Sequence, residues 1–346
     1  MQNSPLYRFG YSRDKRPDLR QVNFSITELR NGNIPIGLNV SPGNESDGKQ
    51  FVDLLNGIMG LLKEDSTIVM DAASDNKNVI DAIRNSGHRH IVRKKMNVTD
   101  DKWISNFDKE TAVLVDDKQK AWCRKRTFSS SGRTTYMFFS EKLYKDKITS
   151  LDSRAQRCVD ANEVIRQKKD GTLRISRTAV KRLRNPLLSL FVGIQSKLLS
   201  TDDDSFKFVR EELSNGREGF FKIESSKELT ELDAYQMYRK RDTAEKLIES
   251  LKNHIDMGLL RVWSDHSVKG ILTICFLAQM MVLMVRFEHT ELSRSSTRMI
   301  IRSLEKLTLT VIFGAGKRRQ RIFSNFEPVN SLVLGAIPPD KSYSEG

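Results

Sequence analysis

The chain has 346 residues, 38% of them hydrophobic and 29% charged, with 58 Lys plus Arg against 44 Asp plus Glu and a net charge of +14. That length can bury a sizeable core with room for about two domains, and the composition excludes a disordered or fibrous chain. Three scattered cysteines, Cys123, Cys158 and Cys275, fit neither a zinc cluster nor a disulfide scaffold and, with no signal peptide in view, predict a reducing cytoplasm.

In chain order, residues 9–19 (FGYSRDKRPDL) form a polar, basic segment ending in a Pro-punctuated turn. Two alternating runs, 21–29 and 34–40, are joined through Asn31-Gly32-Asn33, which predicts a β-hairpin. The turn SPGNESDGKQF leads into a helix over about 48–63. Residues 67–70 (TIVM) read as a buried strand that delivers Asp71 at its end. A helix over 77–85 ends at Gly87, and 90–93 (HIVR) is a further strand. Hairpin, helix, strand, helix, strand describes a mixed sheet with flanking helices. A carboxylate just past a buried strand is well placed for chemistry, because strand ends are rigid and open onto the sheet's edge. Capping a helix is the alternative role for Asp71. Asp75 lies nearer the helix start and is expected to take that role instead.

From 96 to 228 the pattern is less regular. Strands are expected at 111–115 and 134–139, with RTFSSSGRTT as a Ser/Gly turn between basic ends, and 168–181 mixes strand-like alternation with a turn at Asp170-Gly171. Residues 118–200 carry 20 Lys plus Arg against 6 Asp plus Glu, an excess of 14 that accounts for the whole net charge. A local basic field of this size suits a polyanion, most simply nucleic acid, and Arg124, Lys125 and Arg126 are its densest run. The alternative is a solvated surface. The TDDDS stretch at 201–205 reads as an exposed polar loop.

Residues 238–252 (YRKRDTAEKLIESLK) lack Pro and Gly and favour helix. At about 100° per residue, Tyr238, Arg241, Glu245 and Lys252 fall within roughly 60° of one another. The apolar residues Ala244, Leu247, Ile248, Leu251 and Ile255 form the adjacent stripe. Glu249 shares the polar stripe, so helical geometry alone does not choose between it and Glu245. The apolar run 270–285 is 16 residues long and contains Gln279. That is short for a membrane span and predicts a buried core helix. A helix over about 293–311, a basic GAGKRRQRIF patch at 314–323 and a loosely ordered tail complete the chain.

The spacing Tyr-x2-Arg-x3-Glu-x6-Lys, here Tyr238, Arg241, Glu245 and Lys252, resembles the signature around the last catalytic glutamate of the DDE insertion-sequence transposases. The segments FGYSRDKRPDLRQV and IPIGLNVSPGNESDGKQF, followed by a strand ending in Asp71, are similar to the first half of the same proteins. The resemblance covers about 9–95 and 220–290. It implies a ribonuclease-H-like mixed sheet with flanking helices, interrupted by a largely β insertion and followed by C-terminal helices. The expected organisation is 1–95 as the first part of the core, 96–228 as the basic insertion, 229–290 as the second part with the Glu helix, and 291–346 as the C-terminal helix and tail. The 174-residue separation of Asp71 and Glu245 accommodates the insertion.

The resemblance further implies Asp71 and Glu245 as catalytic metal ligands, two Mg²⁺ ions about 3.5–4 Å apart, and phosphoryl transfer at the ends of a mobile element. Arg241 and Lys252 would hold DNA phosphates and Tyr238 would orient the bound strand. The partner is double-stranded DNA, element ends and target, bound by a homodimer in a synaptic complex with no membrane. The family uses three carboxylates, the first on a strand upstream of FGYSRDKRPD. Only MQNSPLYR precedes that segment here, and it contains no Asp or Glu. Asp14 and Asp18 lie in the basic segment, where pairing with Arg13, Lys15 or Arg16 is the simpler role. The expectation is therefore a chain truncated at its N-terminus, either a transposase or a DNA-binding remnant that does not cut.

Overall fold

The computed structural model describes residues 4–10, 18–128, 132–172, 203–254, 262, 264–313, 319–325 and 327–336. Its elements in order are β1 (Val22–Glu28), β2 (Pro35–Pro42), α1 (Asp47–Ile58), β3 (Thr67–Met70), α2 (Lys77–Asn85), β4 (Arg89–Lys94), α3 (Val98–Ser105), β5 (Val113–Asp116), β6 (Ala121–Phe128) and β7 (Arg133–Ser140). They continue with α4 (Glu141–Lys169), α5 (Asp203–Leu213), β8 (Phe220–Ser225), α6 (Glu231–Arg239), α7 (Asp242–His254), α8 (Asp265–Glu288), α9 (Thr297–Lys306), β9 (Thr308–Phe313), β10 (Arg319–Ser324) and α10 (Pro328–Ala336). The expected run of hairpin, helix, strand, helix, strand is β1 to β4. The fold is mixed α/β and accords with a ribonuclease-H-like core. Two units divide it, one of residues 1–88 with 239–346 and one of 89–238.

In the first unit β1 and β2 pair antiparallel, with Phe24 opposite Val40 and Ile26 opposite Leu38. The turn places Gly32 at φ 78° and Asn33 at φ 53°. That left-handed region is open to Gly and tolerated by Asn, which is why this tripeptide can close the hairpin. Leu247 and Leu251 of α7 and Val268 and Leu272 of α8 bury against Phe24, Ile26, Leu38 and Val40, with Leu6 completing the cluster. Each buried leucine contributes about 2 kcal/mol of transfer free energy. This packing fixes which side of α7 faces inward.

Two expectations change here. The apolar run was expected to be a buried core helix, but α8 buries only one side, through Val268, Leu272, Cys275 and Gln279. Its other side is open, with Ile274 68% and Met281 58% exposed. The helix is 24 residues, longer than the apolar run alone, and by length and composition it could cross a membrane. The expected helix over 293–311 stops at Lys306, and Thr308–Phe313 pairs with Arg319–Ser324 as a hairpin. TLTVIF is rich in β-branched residues at alternating positions, and they favour extended backbone over helix. The basic patch at 314–323 thus falls partly on β10, its residues 314–318 lying outside those described.

In the second unit β4, β8, β7, β6 and β5 form an antiparallel sheet in that order. Its core includes Ile91, Val92, Tyr136, Met137, Phe138 and Ile223, all fully buried. The Tyr136 hydroxyl donates to the Leu229 carbonyl at 2.9 Å and accepts from the Leu229 N–H at 2.7 Å. Strand β6 was not expected, and it leads into the RTFSSSGRTT stretch that joins it to β7, residues 129–131 lying outside those described. Ala121 and Cys123 alternate inward on β6, and the charges that follow mask the pattern. Between 96 and 228 the described residues hold three helices beside four strands. Helix α4 packs on α5 through Ala155, Cys158, Val159 and Val209, and Arg210 Nε reaches Asp152 Oδ1 at 2.6 Å. The expected strand-like stretch at 168–181 begins inside the end of α4 and otherwise falls outside the described residues.

Glu224 is the charged centre of this sheet. Its Oε1 lies 3.8 Å from His90 Nε2, 3.5 Å from Arg133 Nη1 and 3.9 Å from Lys94 Nζ. His90 first, then Lys94 and Arg133, draw its carboxyl below the usual value of 4.5 against the opposing effect of burial. A depressed folded value means stabilisation that is present above the unfolded value and lost as the pH falls from there through the folded one. Glu224→Gln is expected to cost about 1–3 kcal/mol at neutral pH. It should also flatten the pH dependence below the usual glutamate value, as read by urea unfolding at neutral and acidic pH. Equal losses at both would remove Glu224 as the source.

Candidate active site

Within the first unit, β3 ends at Met70 and the chain turns through a 3₁₀ segment, Ala72–Ser74. Asp71 caps that segment, its Oδ1 accepting from the Ala73 and Ser74 N–H groups at 3.0 and 3.3 Å. Asn76, not Asp75, caps α2 by accepting from the Val79 N–H at 3.0 Å. The expected division of roles is therefore corrected. Asp71 does cap, because a strand that turns at once into a 3₁₀ segment leaves N–H groups in reach of its side chain. Only one oxygen is spent in this way. Oδ2 faces Arg241, 3.9 Å from Nη1.

The expected single helix over 238–252 is two helices. Helix α6 ends at Arg239 and α7 begins at Asp242. The break has one local and one tertiary support. The Thr243 hydroxyl bonds back to the Lys240 carbonyl and also reaches Glu28 on β1, and Asp242 is favoured in a first turn. Glu245 therefore lies in the first turn of α7, where the helix's positive end favours a carboxylate. Its side chain is 64% exposed and Oε1 is 3.0 Å from Arg241 Nη2, while Asp242 Oδ1 is 3.3 Å from the same nitrogen. Leu247 and Leu251 point into the core.

One guanidinium thus reaches both Asp71 and Glu245, brought together across 174 residues. Tyr238 belongs to the second unit, where it is buried on α6 with its ring 6.4 Å from that of Phe221. Lys252 lies in α7 and its side chain is outside the described residues, as is Asp14. Glu249 is exposed on α7. Two acidic neighbours escaped the sequence reading. Asp242 had a signal, an acid at a helix start beside Arg241. Glu28 had none, since its contact with Thr243 spans 215 residues. Burial pushes the Glu28 carboxyl above its usual range, and the Thr243 hydroxyl pulls the other way.

Strand alternation separates the three basic residues of β6 in the second unit. Arg124 donates to the Asn106 carbonyl at 2.9 Å, and Arg126 lies over the Trp103 ring, 4.8 Å from its centroid. Both partners sit near the end of α3. Lys125 turns to the opposite face and pairs with Glu228 at 3.0 Å and Glu231 at 4.0 Å. The run therefore presents two arginines on one face and a neutralised lysine on the other. Much of the basic excess falls in 173–202, outside the described residues.

A strand-end carboxylate and a helix carboxylate meet at one cation, on a mixed α/β fold that accords with a ribonuclease-H-like core. Residues 8–281 match the family described as Transposase DDE domain, and the chain belongs to that family. No curated protein and no solved structure matches it. Proteins of this family act on DNA and generally use divalent metal. The donors present suit a hard cation, since carboxylate oxygens are its preferred ligands and two of them already converge on a guanidinium. Among the described residues no three His, Cys, Asp or Glu side chains are grouped closely enough for one ion.

Proposed function

We propose that this transposase cleaves and joins DNA strands at the ends of an insertion sequence, with Mg²⁺ held by Asp71 and Glu245. The carrying observation is the shared guanidinium of Arg241, which reaches both carboxylates. Bound Mg²⁺ would activate the attacking water or 3′-hydroxyl and stabilise the leaving oxygen. The chain's own residues do the rest. The cap on Oδ1 fixes Asp71 at the strand end. Packing of Leu247 and Leu251 orients α7 so that Glu245 faces water and substrate. Arg241 and Lys252 hold DNA phosphates, and two copies of the chain bring the element ends together with the target duplex.

A second reading, a protein that binds DNA without cutting it, draws on the same contact. Arg241 already pairs with both Asp71 and Glu245, and among the described residues no three carboxylates are grouped closely enough to hold one ion. A nicking assay on duplex DNA carrying the element's ends separates the two. Cleavage that needs Mg²⁺ and stops with EDTA supports the first, while salt-sensitive binding without cleavage supports the second.

DNA contact by the second unit is assigned to Arg124 and Arg126, on one face of β6. Each phosphate contact releases condensed counterions, so the slope of log affinity against log salt reports their number. Replacing both arginines with Gln is expected to reduce that slope by about two. Lys125→Gln should leave it within error, because Glu228 already neutralises the ammonium. Equal effects of the two changes would remove the assignment.

A further inference from the structure

We propose that Arg241 is an internal counter-ion that keeps divalent cations out of the carboxylate site until a DNA phosphate draws it away. The inference rests on the Mg²⁺ reading above and concerns how that site is regulated.

Three carboxylates surround the guanidinium, Glu245 at 3.0 Å, Asp242 at 3.3 Å and Asp71 at 3.9 Å. Among these four described side chains three negative charges face one positive, a net of two, the charge of one divalent ion. Yet the oxygens do not close on a point, and no three-ligand cluster exists among the described residues. A hard cation needs its oxygens at about 2.0–2.6 Å from a common centre. The guanidinium instead takes the two carboxylates at its own nitrogens, Nη1 facing Asp71 and Nη2 facing Glu245. Its side chain is only 20% exposed, so it is set into the site rather than lying over it. Asp71 cannot turn away cheaply, because Oδ1 is tied to the Ala73 and Ser74 N–H groups.

Guanidinium and divalent cation therefore compete for the same two oxygens. The guanidinium fork matches phosphate as well as carboxylate, so a DNA backbone offers Arg241 an equivalent partner outside the site. When it moves there, Asp71, Asp242 and Glu245 are left with three uncompensated charges, and cation affinity rises. Linkage makes the effect reciprocal, with DNA strengthening metal binding and metal strengthening DNA binding by the same factor. A metal centre arranged in this way forms only on DNA.

The test uses Mn²⁺ as probe, its free concentration read by electron paramagnetic resonance on the full chain, with and without a short DNA duplex whose own uptake is subtracted. Arg241→Met keeps the apolar stem and removes the charge. It is expected to bind Mn²⁺ about tenfold tighter than the wild type without DNA. The duplex should raise wild-type affinity about tenfold and leave Arg241→Met unchanged. Arg241→Lys, which keeps the charge, should stay near the wild type without DNA. Equal or weaker Mn²⁺ binding by an Arg241→Met protein with an unaltered melting transition overturns the proposal. If that variant does not fold, a wild-type affinity indifferent to the duplex overturns it instead. Asp71→Asn and Glu245→Gln separate the two levels. If both still bind Mn²⁺ like the wild type, the metal reading fails and this inference with it. If both lose binding while Arg241→Met is unchanged, only the inference fails.

Discussion

Replacing Glu245 with Gln is expected to lower the rate of Mg²⁺-dependent DNA cleavage about a thousandfold, a loss of about 4 kcal/mol of transition-state stabilisation. The amide keeps the size and one oxygen of the side chain but loses its charge. Folding should be unaffected, because Glu245 is exposed in the first turn of α7 and its helix is held by Leu247 and Leu251. Glu249→Gln, one turn further along and also exposed, should leave the rate within about threefold. The measurement is a nicking time course on end-bearing duplex, with circular dichroism as the folding control. Comparable losses from both substitutions would mean that the acidity of the helix, rather than the place of Glu245 beside Asp71, matters. No loss from Glu245→Gln would end its assignment as a metal ligand.

The largest stability effect is expected at Phe138. It is fully buried in β7, its ring stacked on Phe221 at 4.8 Å and 10°, with Tyr235 at 5.6 Å and Tyr136 at 6.4 Å. Phe138→Ala removes an aromatic ring from a cluster held by β7, β8 and α6, whose backbones cannot collapse into the space. A loss of about 3–5 kcal/mol follows, read as a lower urea midpoint at unchanged slope. Phe138→Leu should cost less than half as much, since most of the volume is retained. A loss below about 1 kcal/mol for the alanine variant would mean that the sheet repacks around the gap.

Much of this protein is written in local pattern. Alternation and Asn31-Gly32-Asn33 specify the β1–β2 hairpin, because period-two burial and left-handed turn residues act over a few positions. The TIVM run specifies β3 and places Asp71 at its end, and the spacing of Arg241 and Glu245 marks the helix that carries the second carboxylate. Local pattern failed where charge or length misled. The charges of 124–126 concealed β6, which exists because β7 supplies its ladder. The apolar run of α8 suggested full burial, whereas only one side found partners, the hairpin and the cluster of Leu292, Ile300 and Val333.

What the sequence by itself determined, then, is the run of elements from β1 to β4 and the family to which the chain belongs, because both follow from residue types at short, fixed offsets. Tertiary structure alone decided how those residues face one another. The break between Arg239 and Asp242 depends on Thr243 meeting Glu28 across the fold, and it moves Glu245 from mid-helix to a helix start. The double duty of Asp71, one oxygen capping and the other facing Arg241, depends on how closely β3 is followed by its 3₁₀ turn. The separation of Lys125 from Arg124 and Arg126 depends on which face of the sheet each one meets. Contacts between residues far apart in the chain carry no sequence period. They form only when burial of the apolar stripes has fixed the strands and helices that present them.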